Sequence, residues 1–342
     1  MSGAPVDNPE DLSVREVYDM FLDAHQLDYT DETLRDYETR LRQFVEWSED
    51  EADEIETIGD VTGFHLEQFK LYRQGQDLAP TTMKGQMATL KKFLEYAASI
   101  EAVDEWLPHK VNIPKLDQSE ETNDVLLDAE DAKAAIEYYR DSPTQYATHP
   151  HVALELCWYT GARLGAIRSL DMEDYKADDQ ILWFHHRPPT VLKKKEQGER
   201  PVGLPEEVCE VLDAFIEYER FHKRDNDGRR PLLSARQGRP SNGTIQGWVY
   251  RATIPCNHSP CPHGKTRETC SWTTRQTASR CPSSRSPHQV RTGSITWQLN
   301  RGLSWEGVGE RVNSDPDTLR RYYDKASDLE RLEERRRSFI ED

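Results

Sequence analysis

The chain has 342 residues, enough for two domains that each bury their own core. Hydrophobic residues make up 36% of it and charged residues 31%, and no apolar run approaches the roughly 20 residues that a membrane helix needs. The N-terminus is acidic, unlike a secretory leader. This composition argues against a membrane or secreted protein, and we expect a soluble protein of the cytoplasm.

The net charge of −18 at first argues against a nucleic-acid partner. The chain holds 62 acidic residues, 30 arginines and only 14 lysines. In molar salt the Debye length falls to about 3 Å, so repulsion within such an acidic surface is screened. The composition therefore suggests, as a hypothesis, a halophilic source.

Four amphipathic helices are predicted in the first hundred residues. Apolar residues recur along each of them at intervals of three and four; Thr30 or Asp31 caps the second helix, and Pro80 opens the fourth. Short connections between such helices are typical of a small bundle. We assign residues 8–105 to this helical domain, and residues 106–124, which contain two prolines and little periodicity, to a linker.

Residues 125–342 form the second predicted domain. Its helices are expected at 129–139, 151–160, 205–220, 241–252, 290–301, 305–312 and 328–337. Two short strands, 181–185 and 201–204, flank a turn with three successive lysines. The predicted fold is mainly α: an N-terminal helical bundle, followed by a helical domain with a small antiparallel β-sheet.

A basic block lies within the second domain. Residues 221–301 hold 14 Lys and Arg against 3 Asp and Glu, whereas residues 1–60 hold 4 against 19. Because counterion release depends on local charge, such a block indicates a phosphate-binding face in spite of the acidic total. A solvated cluster of loops is the alternative interpretation.

Three short motifs carry a resemblance to a known family. Residues 159–164 read Tyr-Thr-Gly-Ala-Arg-Leu, residues 286–292 read Ser-Pro-His-Gln-Val-Arg-Thr, and residues 320–324 read Arg-Arg-Tyr-Tyr-Asp. They resemble the first arginine motif, the His-x-x-Arg motif and the nucleophile segment of the tyrosine recombinase (phage integrase) family, in family order. Residues 8–105 resemble the SAM-like core-binding domain that precedes the family's catalytic domain. The resemblance extends to the integrase-like proteins of halophilic archaea, in agreement with the acidic composition.

The resemblance implies a role for each polar residue of the motifs. Arg163 and Arg291 would neutralise the non-bridging oxygens of a phosphodiester, because guanidiniums bind oxyanions in a bidentate manner and stay charged. A lysine of the turn 193–195, with Lys195 favoured, would protonate the leaving 5′-hydroxyl. His288 would accept or relay the proton of the attacking tyrosine, whose ordinary pKa of about 10 makes it a poor nucleophile.

Two adjacent tyrosines compete for the role of nucleophile. Likeness to the halophilic relatives favours Tyr323, whereas counting nine residues from Asn313, as in many bacterial relatives, points to Tyr322. The chain also departs from the family twice: Ala166 stands where glutamate is frequent, and Asn313 stands where a His or Trp donates to the phosphate. An asparagine amide still donates a hydrogen bond, so Asn313 stays a site residue.

The cysteine-rich insertion, residues 256–281, holds four of the six cysteines. Clustered thiols in a cytosolic protein favour a metal over disulfides, and tetrahedral zinc would stabilise an irregular loop. The spacing lacks paired Cys-x-x-Cys, so free thiols and disulfides stay alternatives. Cys157 and Cys209 lie in apolar helices and are expected in the core. The tentative zinc ligands are Cys256, Cys261, Cys270 and Cys281.

The function implied by the resemblance is site-specific DNA recombination through a 3′-phosphotyrosyl intermediate, with no cofactor for the chemistry. The partner is double-stranded DNA, and the predicted DNA contacts are Arg239, Arg285 and Lys193. A homo-tetramer would assemble on paired sites from a free monomer or dimer. Because of Ala166 and Asn313, a catalytically impaired DNA-binding regulator is the main alternative; a nicking and closing enzyme of the topoisomerase type ranks last.

Overall fold

A computed structural model describes residues 8–117, 120, 124–274 and 276–335. The chain divides between residues 123 and 124 into two compact units. No helix in these described ranges is both long and apolar enough to cross a bilayer.

In the described part of the first unit, four α-helices form a bundle: α1 (Val14–Ala24), α2 (Asp31–Asp50), α3 (Gly63–Gln74) and α4 (Pro80–Ser99). Each helix contributes one phenylalanine to the centre of the core, and none of the four side chains is more than 1% exposed. The rings meet edge to face, with centroids 5.2 Å apart between α2 and α3 and 5.9 Å apart between α1 and α4. These phenylalanines are Phe21, Phe44, Phe69 and Phe93.

Local signals set the starts of these helices, and those of α2 and α4 were predicted. The Thr30 hydroxyl caps α2 by accepting a hydrogen bond from the backbone N–H of Thr33, and Pro80 occupies the first turn of α4. Ser13 and Glu16 form a reciprocal capping box at the start of α1. The predicted four-helix bundle is therefore confirmed.

The second unit contains a longer series of helices around a small sheet. Its helices are α5 (Ala129–Asp141), α6 (His149–Thr160), α7 (Leu164–Ser169), α8 (Glu206–Ala214), α9 (Asn242–Ala252), α10 (Pro287–Asn300), α11 (Trp305–Val312) and α12 (Asp328–Arg335). Helix α6 is buried along nearly its whole length and packs against α5, α9 and α10. A helix without a polar face needs such a central position.

The sheet consists of β1 (Tyr175–Lys176), β2 (Ile181–Phe184) and β3 (Arg200–Gly203), all antiparallel in the order β1-β2-β3. Leu182 pairs with Val202, and both side chains are buried. The predicted fold class, mainly α with a small antiparallel sheet, is confirmed. Strand β1 and helix α7 were not predicted, because two and six residues are too short to show a period.

Helix α10 approaches the start of the second unit at Gly293. A Cβ built there would lie 1.8 Å from the carbonyl oxygen of Leu127 and 3.2 Å from the Trp158 ring. The Leu127 N–H in turn donates to the carbonyl of Gln289, 3.2 Å away. This close approach places the first turns of α10 against the end of α6.

We predict that Gly293→Ala destabilises the second unit by about 2–3 kcal/mol, because the methyl group has no room to relax away from backbone atoms. Gly165→Ala is the matched control, since a Cβ at this helical glycine meets nothing within 4 Å. Thermal unfolding followed by circular dichroism measures both. Equal melting temperatures for the two variants would contradict the close approach.

Candidate active site

The first predicted arginine follows a tight reversal of the chain. Helix α6 ends at Gly161, which adopts the left-handed conformation at φ 57°. A side chain there would be strained, and its Cβ would lie 2.9 Å from the Val312 side chain. After this turn the Arg163 Nη1 donates to the carbonyl of Asn313 at 2.6 Å. The reversal thus directs Arg163 toward the end of α11.

Arg291 is the largest fully buried side chain among the described residues, with 1% exposed. Its Nη1 donates to the carbonyls of Gly161 and Val312. Its Nε and Nη2 are buried and have no hydrogen-bond partner in the described ranges. Burial is the main cause that lowers the pKa of Arg291 to about 10; the interaction with Tyr323 opposes this shift, and the charge of Arg163 adds to it. The guanidinium still carries its charge at pH 7 and offers two unsatisfied donor atoms.

Tyr323 lies beside this guanidinium. The helical turn Pro316–Thr318 continues into a π-helical turn, Leu319–Tyr323, and Tyr323 is 7% exposed at its end. The Arg291 Cζ is 5.0 Å from the centroid of the Tyr323 ring. The neighbouring Tyr322 packs differently, with the Arg321 Cζ 5.1 Å from its ring centroid. Of the two tyrosines, Tyr323 is the one that contacts the second arginine.

His288 contacts the same tyrosine, with ring centroids 5.5 Å apart. The residue keeps an exposed surface, yet partial burial lowers the pKa of its imidazole, and the charges of Arg291 and Arg163 lower it further. At pH 7 the ring is therefore neutral and has a lone pair that can accept a proton.

Asn313 ends α11 in the left-handed conformation, at φ 54°. Its carbonyl accepts from Arg163, and its side-chain nitrogen packs closely against Gly198, where a Cβ would come within 2.6 Å. Asn313 therefore connects Arg163 to the turn between β2 and β3. Ala166, the other departure from the family pattern, is nearly buried on α7.

Arg200 belongs to this site, although its sequence context did not single it out as functional. Its Nε donates to the carbonyl of Arg311 at 2.7 Å and its Nη1 to that of Gly198 at 2.9 Å. Burial lowers the pKa of Arg200 to about 10, and the nearby charges of Arg291, Arg163 and Arg311 contribute. A charged residue at the start of a short strand gives no periodic signal, so only the tertiary contacts identify it.

Four arginines of the site have no carboxylate partner among the described residues. They donate to backbone carbonyls, and no ion pair in the described part of the chain includes any of them, whereas Arg239, buried in the same unit, pairs with two aspartates. Several guanidiniums held together without a counter-charge favour an oxyanion ligand. These arginines are Arg163, Arg200, Arg291 and Arg311.

The lysine turn is not assembled with the arginines. Lys193 and Lys195 are exposed, and the Lys195 backbone lies at φ 50°. No side-chain hydrogen bond or ion pair of either lysine occurs among the described residues. Lys194, however, lines a groove of about 770 Å³ together with Arg200 and Asn313. The turn therefore borders the site from its solvent side.

The structure places Arg239, one of the predicted DNA contacts, in the interior of the unit. Its side chain is 4% exposed; Nε and Nη2 bind the carboxylates of Asp225 and Asp171, and Nη1 binds backbone carbonyls. All of its donor atoms are thus occupied inside the unit, so Arg239 stabilises the fold. Arg285 is half-buried and donates to the carbonyls of Leu126 and Pro282, 2.9 and 3.1 Å away. It anchors the segment that leads into α10.

The four cysteines of the insertion are free thiols. Burial raises the pKa of Cys256, and the other three thiols are close enough to raise it further. No group of three or more His, Cys, Asp or Glu in the described residues is arranged to hold a metal ion. The predicted zinc ion therefore has no support from the structure. Cys157 and Cys209 are buried in the core as predicted.

Comparison with known proteins identifies both units. The Phage integrase family matches residues 126–328, and the phage integrase N-terminal SAM-like domain matches residues 24–101. No curated protein matches the chain significantly.

Solved structures give the same result for the fold. The chain is similar to the Tn1549 transposon integrase in complex with a circular intermediate DNA, at 16% identity and a TM-score of 0.65 over 96% of this chain and 99% of that one. It is also similar to the lambda integrase in a tetramer bound to a Holliday junction, at 14% identity and a TM-score of 0.62 over 93% and 79%. The N-terminal domain of a phage integrase/site-specific recombinase from Haloarcula marismortui matches 30% of this chain and 97% of that one, at 43% identity and a TM-score of 0.29.

We predict that an oxyanion stabilises the second unit through Arg291. Inorganic phosphate at constant ionic strength should raise the melting temperature of the wild type, because a ligand that binds only the folded state adds about 2.7 kcal/mol at a hundred times its Kd. Arg291→Lys should abolish this gain, since an ammonium lacks the guanidinium fork. Arg301→Lys, an exposed arginine just beyond the end of the same helix, is the control. A phosphate gain that survives in Arg291→Lys would place the anion elsewhere.

Proposed function

The chain belongs to the phage integrase family, and from this membership we propose that it is a tyrosine-type site-specific recombinase that cleaves and rejoins DNA. The observation that carries the proposal is the Arg291 guanidinium, buried with two unsatisfied donor atoms beside Tyr323. A phosphodiester placed there would satisfy both donors and meet the tyrosine hydroxyl.

In the proposed cleavage step the Tyr323 oxygen attacks the phosphorus of the scissile phosphodiester. The bond from phosphorus to the 5′-oxygen breaks, the new bond is a 3′-phosphotyrosyl ester, and the 5′-oxygen leaves as a hydroxyl. Arg291 and Arg163 neutralise the non-bridging oxygens, whose negative charge grows in the transition state. Attack by the 5′-hydroxyl of a partner strand reverses these bond changes, so no external energy source or cofactor is needed.

Two proton transfers accompany the cleavage. The neutral His288 accepts the proton of the Tyr323 hydroxyl, which increases the nucleophilicity of the oxygen. The leaving 5′-oxygen takes a proton from the lysine turn, for which Lys195 stays our candidate. Its exposure leaves the ammonium free to reach DNA that lies across the mouth of the site. Asn313 contributes by orienting Arg163 through its carbonyl.

The partner in this proposal is double-stranded DNA, and strand exchange requires a homo-tetramer on two paired sites. The solved lambda integrase tetramer on a Holliday junction is the precedent for such an assembly. A DNA-binding regulator without catalysis would not require Tyr323, His288 and both arginines to converge, so the geometry favours the enzyme. If the source is halophilic, as the composition suggests, DNA is bound and cleaved at high salt.

The decisive test of the proposal is covalent trapping at high salt. Nicked duplexes that cover the ends of the DNA element carrying the gene should yield a protein–DNA adduct that resists denaturant. We predict that Tyr323→Phe abolishes the adduct, because it removes the attacking oxygen, and that Tyr322→Phe retains it.

Three other results of the trapping experiment would each support a different interpretation. Loss of the adduct in Tyr322→Phe alone would move the nucleophile to the neighbouring residue. Tight binding to the true site without any adduct would support the regulator. Relaxation of supercoils without a defined site would support the topoisomerase-like alternative.

We predict that adduct formation depends on pH through His288. Because burial and two arginines lower the pKa of this ring below its ordinary value of 6.5, it is neutral at pH 7 and gains a proton only in more acidic solution. The single-turnover rate should therefore stay constant from about pH 8 to about pH 6.5 and fall below that range. His288→Gln should remove this fall and lower the rate about 100-fold or more. A wild-type rate that already falls above pH 7 would contradict the assignment.

A further inference from the structure

The residue after Tyr323 is bound by the last described helix. Asp324 is nearly buried, and its carboxylate accepts two hydrogen bonds from Arg335, at 2.8 and 3.0 Å. Arg331 forms a further ion pair with it at 3.3 Å. Both arginines belong to α12, so this helix holds the chain directly after Tyr323.

Arg335 also reaches a second element of the site. Its Nε donates to the side-chain oxygen of Asn300, 2.6 Å away. Asn300 is the last residue of α10, the helix whose first turns carry His288 and Arg291. One guanidinium therefore joins the tyrosine-bearing segment to the helix that bears His288 and Arg291.

Thr296 fixes the same stretch from the inner side. Its hydroxyl donates to the carbonyl of Tyr323 at 3.0 Å and accepts from the Lys325 N–H at 3.4 Å. The Tyr323 backbone thus lies between two anchors on α10, one direct and one through Asp324 and Arg335.

Helix α12 lies at the surface of the unit. None of its described residues is buried, and the side chains of Leu329 and Leu332 are largely exposed, at 66% and 42%. Burial alone would raise the pKa of Asp324, but Arg335 and Arg331 lower it, so the carboxylate stays charged. Since no described residue of α12 is buried, the ion pairs at Asp324 are the contacts that join this helix to the tyrosine segment.

We propose that Asp324 and Arg335 are positioning residues, which hold Tyr323 against Arg291 and His288 by clasping its segment to the end of α10. This inference rests on the proposed recombinase chemistry. We call the contacts of Arg335 with Asp324 and Asn300 the clasp. In-line attack requires the tyrosine oxygen within about 3–3.5 Å of the phosphorus, and a displacement of about 1 Å costs about 100-fold in rate. A backbone anchored on both sides limits such displacements.

The test compares Arg335→Gln and Asp324→Asn with Asp328→Asn. The control removes the ion pair that the fully exposed Asp328 side chain forms with Arg331 on the same helix. Single-turnover adduct formation at saturating DNA should fall about 10- to 100-fold in the two clasp variants and stay unchanged in the control. The Kd for DNA should be the same in all of them, and the charge exchange Asp324→Arg with Arg335→Asp should recover part of the rate.

A second measurement, amide hydrogen exchange, tests the contacts of Asp324 and Arg335 independently of DNA cleavage. Amide hydrogen exchange in free protein should accelerate at Asp324 and Lys325 in Arg335→Gln, but not in Asp328→Asn. Unchanged exchange would overturn the clasp even if the wild type forms the adduct. Equal adduct rates in Arg335→Gln and the control would overturn its positioning role while leaving the recombinase function intact. A wild type that forms no adduct on its true site would instead overturn the proposed function, and the positioning role with it.

Discussion

The uncompensated charge of Arg291 is the constraint on which the second unit depends. Moving a guanidinium into the interior costs several kcal/mol unless a counter-charge accompanies it. Among the described residues, the hydrogen-bond acceptors of Arg291 are the backbone carbonyls of Gly161 and Val312. To present them, α6 must end in a left-handed glycine and α11 must end beside it. The ends of these two helices and the start of α10 therefore meet at one point, and the remaining donor atoms of Arg291 are left for a ligand.

Arginine has two different roles in the interior of this unit. Arg239 is paired with Asp171 and Asp225, so its charge is neutralised and it stabilises the fold. Arg291 and Arg200 donate only to carbonyls among the described residues; burial lowers the pKa of each, and neighbouring cations lower it further. Every donor atom of Arg239 has a partner, whereas two donor atoms of Arg291 remain available for a ligand. Which role an arginine takes is decided by the distribution of carboxylates around it.

This division is compatible with the proposed binding of a polyanion by an acidic protein. The 62 acidic residues dominate the total charge, yet none forms an ion pair with the site arginines among the described residues. A buried guanidinium is also screened by salt less than an exposed lysine. Phosphate recognition that depends on buried, preorganised arginines is therefore compatible with an acidic surface and with concentrated salt.

The sequence by itself predicted most of the helices, their order and most of the candidate site residues. Helices with regular apolar spacing, such as α2 and α4, were predicted with correct starts because caps and prolines act locally. The motifs at Arg163, His288 and Arg291 were recognisable because each is a short contiguous pattern. Only the tertiary structure decided the role of each arginine, the choice between Tyr322 and Tyr323 as the neighbour of Arg291, and the contacts of Asp324. These depend on which side chains from distant segments share one low-dielectric space, and neither spacing nor local propensity contains that information.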